Sequence, residues 1–183
     1  MAPRPLGGTP AGGTPAGRPG SVPAMPAPQR PPLPADIVDR FNAIRGGFNT
    51  TLGLRFVRID YAEIIAELEV TPALHQPYGL VHGGVYAAMV ETLASVGAAV
   101  NLGVDGLHTV GLENSTSFLR AVREGRLRGR AVPLTRGRKT HVWEVEIHDR
   151  DARLVATGRV RTLTIAADAS LAGAPVQITA GEG

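Results

Sequence analysis

Glu91 is the residue of this 183-residue chain whose surroundings most demand a chemical explanation. It stands inside a largely apolar run, 85–104, where an ionised carboxylate loses several kcal/mol of hydration unless something compensates it. Ser95 lies four residues on and shares its helical face. The plain reading has Glu91 emerging at a surface or pairing with an arginine. The residues just before the run point elsewhere. His82-Gly83-Gly84 opens the helix, and a helix start offers unpaired N–H groups at the positive end of a dipole. Glycine at 83 lets an oxygen approach its N–H with no Cβ in the way. A donor so placed suits a carbonyl that becomes negative during acyl transfer, and Gln76, six residues before His82, can add a second polar contact.

Spacing then bears on assembly. Gly83 and Glu91 are separated by eight residues, about 12 Å along a helix axis. The side chain leans back and recovers about 4 Å. Both groups must come within about 3 Å of one reacting centre, which a single helix serves poorly. Two antiparallel copies related by a two-fold axis place Gly83 of one against Glu91 of the other. If the two residues share a reaction, the expected enzyme is a dimer with two composite sites.

The elements that must hold these residues are readable over about 36–166. Asp36 is placed to cap a short helix bearing Ile37, Phe41 and Ile44, with Gly46-Gly47 to stop it. Residues 54–60 read as a strand. In 62–70, Ile64, Ala66, Leu68 and Val70 alternate with Glu63, Glu67 and Glu69 in strand period. A loop broken by Pro72 and Pro77 leads to a helix of about 20 residues that is apolar nearly all round, hence buried. Strand-like stretches follow near 108–119, 125–134, 139–149 and 154–165. One sheet folded against one helix is an α+β architecture. The long helix is expected in a soluble core rather than a bilayer, because Glu91 interrupts it and leaves only 13 uncharged residues after it, over 92–104.

Composition narrows the function classes. With 43% hydrophobic and 19% charged residues the chain suits one globular domain, and with no cysteine it has no disulfide, no cysteine-ligated zinc and no thiol nucleophile. The net charge of +3 comes from Arg4, Arg18 and Arg30; the remainder balances 16 basic against 16 acidic residues, which disfavours nucleic acid as a partner. The first 34 residues hold 11 of 15 prolines and are expected to be a disordered tail without the apolar segment of a secretory signal. Residues 167–183 read as a second loose tail, and a cytoplasmic location is the default.

The residues Gln76-Pro-Tyr-Gly-Leu-Val-His82-Gly83-Gly84, followed by Glu91 and Ser95, resemble the signature of hotdog-fold acyl-CoA thioesterases of the PaaI-like group. The segments 111–114 (GLEN), 123–129 (REGRLRG) and 136–147 (RGRKTHVWEVEI) strengthen it. They resemble in particular the branch of 1,4-dihydroxy-2-naphthoyl-CoA hydrolases and aryl-carrier-protein proofreading thioesterases. The likeness covers about 50–165.

It implies an antiparallel sheet wrapped around one long central helix and hydrolysis of an acyl-CoA or acyl-carrier-protein thioester with a bulky or aromatic acyl group. Glu91 matches the catalytic carboxylate, either nucleophile or general base, and Ser95 the hydroxyl that orients water. Gln76 and the Gly83 N–H match the groups that polarise the carbonyl. His82 matches a histidine that supports the loop or acts directly. Arg120, Arg136, Gly137, Arg138 and Lys139 fall where the family holds the nucleotide and pantetheine arm, while Phe118 stands where relatives often place a polar side chain. No metal or other cofactor is implied, and the family's composite sites imply a homodimer, further paired to a homotetramer. Two other functions share the fold class: an acyl-CoA hydratase or dehydratase, and a non-catalytic acyl-CoA sensor.

Overall fold

The computed structural model describes residues 30–176. Its centre is a six-stranded antiparallel sheet of order β1-β2-β4-β5-β6-β3, curved around one helix. The strands are β1 (Arg55–Ile59), β2 (Ile64–Val70), β3 (Leu107–Phe118), β4 (Gly125–Arg136), β5 (Thr140–His148) and β6 (Leu154–Ala166). The central helix α3 (Gly83–Gly103) is buried among them along Val85, Met89, Val90, Leu93, Ala94 and Ala98. It is long and apolar enough to cross a membrane by length and composition, yet 61% of its most apolar stretch is buried within the protein.

Small residues let helix and sheet approach. A Cβ on Gly97 would lie 2.6 Å from the Trp143 ring, which is fully buried, and a Cβ on Gly129 would meet Leu93 and Met89. Apolar side chains of β2, β4, β5 and β6 fill the concave face in the expected period of two. On the convex face Glu67 and Glu69 of β2 stand opposite Arg128 and Arg126 of β4 and pair with them, while Glu63 pairs with Arg130 at 2.6 Å.

Two local expectations are corrected before β1. Helix α1 (Ile37–Ala43) forms, but Asp36 makes no side-chain cap; its carboxylate is turned to Arg40 at 2.9 Å. Gly46-Gly47 does not end the helical region. It opens a second helix, α2 (Gly46–Leu52), because glycine alone adopts the positive φ of 47° that kinks the chain at Gly47.

The expected tails lie mostly outside the described residues, and their inner ends belong to the domain. Pro31 accepts a hydrogen bond from the Tyr61 hydroxyl, and Leu33 packs on the core. After β6 the chain makes a small hairpin, β7 (Ser170–Leu171) with β8 (Ala174–Pro175), where a loose tail was expected.

Candidate active site

Helix α3 begins at His82, which is extended at φ −66°, ψ 136°, and whose Nδ1 accepts from the Gly84 N–H at 2.9 Å. His82 is thus the helix N-cap, a duty that satisfies one of the free amides and holds the ring beside the helix start. The loop before it is tied down. Gln76 N–H donates to the Leu80 carbonyl at 2.8 Å, and the Gly79 N–H donates back to Gln76. The Arg123 guanidinium donates to the carbonyls of Tyr78 and Gly79, and the His75 ring meets the Arg123 carbonyl. Gln76 and Gly83 therefore face one hollow of about 240 Å³, shared with Tyr86, Phe118 and Arg120.

The space in front of Gly83 is partly occupied by the chain itself. A Cβ at 83 would stand 2.7 Å from the Phe118 ring, which also packs on Tyr86 with centroids 5.9 Å apart. Any larger residue at 83 would have to displace the Phe118 ring as well as obstruct an approaching oxygen. The Tyr86 hydroxyl is buried with no hydrogen-bond partner among the described residues. Burial pushes this phenol up to about 12, and the negative charge of Asp149 acts in the same direction.

Two turns further along α3, Glu91 is half-buried on the face turned to β3. Ser95 Oγ donates to Glu91 Oε1 at 3.2 Å, and Asn114 Nδ2 donates to Oε2 at 3.0 Å. Gly111 of β3 lies under the carboxylate, and any Cβ there would collide with Oε1. The carboxylate has no arginine or lysine partner among its hydrogen bonds. The four-residue spacing puts Ser95 beside it, whereas Asn114, the last residue of the GLEN segment, reaches it by a strand-to-helix contact that carries no spacing signal along the chain.

The predicted residues fall into separate groups within one chain. Gln76, His82, Gly83 and Arg120 gather at the N-terminal end of α3, and Glu91 with Ser95 sits about two turns beyond. Arg136 lies near the other end of the helix, where its guanidinium donates to the Tyr61 carbonyl and to Asn101 Oδ1. Gly137 turns the β4–β5 connection, its N–H donating to Thr140, and Arg138 and Lys139 are exposed on that turn. Among the described residues no group of three histidine, aspartate or glutamate side chains is placed to hold a metal.

The long central helix inside an antiparallel sheet agrees with the comparisons, which match the chain to known proteins and solved structures. Residues 78–156 match the family model of the thioesterase superfamily. The Mycobacterium tuberculosis protein Rv1847 is 43% identical over 116 residues, spanning 62% of this chain and 83% of its own. The chain belongs to the thioesterase superfamily. The Rv1847 structure superposes with a TM-score of 0.65, covering 66% of this chain and 97% of that one. Two further superfamily members carry specific activities in their names. The proofreading thioesterase EntH of Cronobacter turicensis is 40% identical over 111 residues, 61% of this chain and 80% of that protein. The 1,4-dihydroxy-2-naphthoyl-CoA hydrolase of Listeria monocytogenes is 34% identical over 113 residues, 62% and 91% of the two chains. The hotdog fold and membership of a thioester-hydrolysing enzyme family follow.

Proposed function

We propose that the protein hydrolyses a thioester of a bulky or aromatic acyl group, carried on coenzyme A or on a carrier protein, with Glu91 as its catalytic carboxylate. The observation that carries this reading is the Glu91 side chain itself: half-buried on an apolar helix, held by one neutral donor on each oxygen and with no arginine or lysine ion pair among the described residues. A structural glutamate in that position would be expected to have an ion pair. In the reaction the Gly83 N–H and the Gln76 amide polarise the carbonyl. Glu91 then either attacks the carbonyl carbon, expelling the thiolate and leaving a mixed anhydride for water, or takes a proton from the attacking water. Ser95 positions that water, and His82 holds the loop.

The sites are composite on this reading. Strand β3 is a sheet edge whose outer side pairs with no strand among the described residues, and Leu112 and Phe118 on it are 52% and 57% exposed. A second copy added antiparallel along that edge sets its Gly83 against Glu91. On the same reading Arg120 and the turn bearing Arg136, Gly137, Arg138 and Lys139 supply a basic mouth for the phosphates of coenzyme A. A cytoplasmic location, the default reading of the sequence, belongs to the same proposal.

The test is thiol release from a panel of CoA esters (acetyl, palmitoyl, benzoyl, phenylacetyl, hydroxynaphthoyl) by wild type and Glu91→Gln. Turnover on the aromatic members that falls by about 100-fold or more in the variant is expected. Binding of the esters with no turnover by wild type would overturn the reading and leave an acyl-CoA sensor.

A further inference from the structure

We infer that Asn114 is a positioning residue for the Glu91 carboxylate, delivered to it by a β-bulge at Leu112 and locked by Thr116; the inference rests on the reading of Glu91 as the reactive group. The pairing of β3 with β6 carries the argument. Gly111 pairs with Thr162 and Glu113 with Arg161, so two steps along β3 match one along β6 and Leu112 is the additional residue. Gly111 faces the helix, because a Cβ there would strike Glu91. In unbroken alternation 111, 113 and 115 share a face, and Glu113 would be carried toward Glu91. The bulge shifts the phase by one. Glu113 turns outward to Arg161 at 2.7 Å, and Asn114, Thr116 and Phe118 turn inward to α3. An amide donor thereby stands where a second carboxylate would otherwise repel the first.

The orientation of that amide is determined by its neighbours. Asn114 Nδ2 also lies 3.0 Å from the Ala87 carbonyl, which can only accept, so the NH2 end must face the helix. Its two hydrogens then serve Ala87 and Glu91 Oε2. Asn114 Oδ1 faces away and accepts from Thr116 Oγ1 at 2.6 Å. Thr116 does not line the hollow beside Gly83 and its hydroxyl bonds Asn114 and not Glu91, so its expected effect on turnover passes through Asn114. With Ser95 on the other oxygen, the carboxylate loses its free rotation before substrate arrives, which keeps the attacking or proton-accepting oxygen in line.

The experiment follows the fastest ester of the panel with Asn114→Leu, Thr116→Val, the double variant and Glu91→Gln. Leucine keeps the branching of asparagine at Cγ and removes the donor. Asn114→Leu should lower kcat by about 10- to 100-fold with KM changed less than about twofold, and Thr116→Val by about three- to tenfold. The double variant should be no slower than Asn114→Leu alone, an identity that mere packing losses would not give. A wild-type kcat in Asn114→Leu, or full multiplication of the two losses, overturns the positioning role. Should Asn114→Leu not fold, an unchanged kcat in Thr116→Val overturns it equally. Glu91→Gln separates the failures: an active Glu91→Gln sinks the reading of the carboxylate, whereas an inactive one beside an unaffected Asn114→Leu sinks this inference alone.

Discussion

At the scale of single residues, the site is built from groups whose usual partners are missing. Among the described residues Glu91 is held by amide and hydroxyl donors and by no cation, and the buried Tyr86 hydroxyl has no hydrogen bond. The second has a consequence in alkali. Burial raises Tyr86 from 10.0 to about 12, so the folded protein holds the phenolic proton more tightly than the unfolded chain. The stability linked to that proton is fully present below about pH 10 and is lost as pH rises toward 12. Urea unfolding across that range should show a decline that is shallower in Tyr86→Phe.

The residue scale is also where the sequence was most and least informative. Glu91, Ser95 and Gly83 stand out in the chain because each breaks or punctuates an apolar helix, and the structure puts Ser95 on Glu91 as the four-residue spacing requires. His82 as the helix cap was hidden, since histidine is a rare N-cap. Asn114 was hidden for a stronger reason: its face depends on a bulge, and a bulge leaves no trace in the alternation of a strand that is exposed on both sides.

At the scale of elements, α3 and the four long strands follow from their periods, and their ends fall within a residue or two of the expected places. The segment 46–52 was legible only as a stop, because two adjacent glycines normally end a helix and here they start one. The packing of α3 gives a test of its own. Three ring atoms of Trp143 stand within 2.8 Å of where a Gly97 Cβ would be, and the ring is enclosed on all sides. Overpacking costs about 1–3 kcal/mol, and the better helix propensity of alanine returns up to about 1 kcal/mol. Gly97→Ala should therefore unfold at lower urea, with a net loss of about 1–2 kcal/mol, although alanine is the stronger helix former.

For the whole molecule, the two halves of the chemistry lie at separate places on one chain and meet only across a two-fold axis on the reading proposed. Neither Gln76→Ala nor Glu91→Gln should be active alone. Mixed dimers carry one site with both lesions and one with neither, so co-refolding the two variants should restore about half of the wild-type activity per heterodimer. Sedimentation of the wild type gives the mass of the assembly, and recovery on mixing shows that sites are shared. No recovery would mean that each chain acts by itself.

The sheet order carries a last consequence, for how the chain is made. Among the described residues strand β3 pairs with β6 alone, and β6 is the last of the six sheet strands to leave the ribosome. Helix α3 and β3 are synthesised early, yet β3 has no strand to join until residues 154–166 emerge. Until then the bulge that turns Asn114 toward Glu91 has no partner strand to form against, and the sheet edge to which a second copy would add is not built. Such long-range pairing is slow to close. Assembly and competence are thus deferred together until β6 has emerged, and a chain that stops short of β6 is left with an apolar helix uncovered on the side that should do the chemistry.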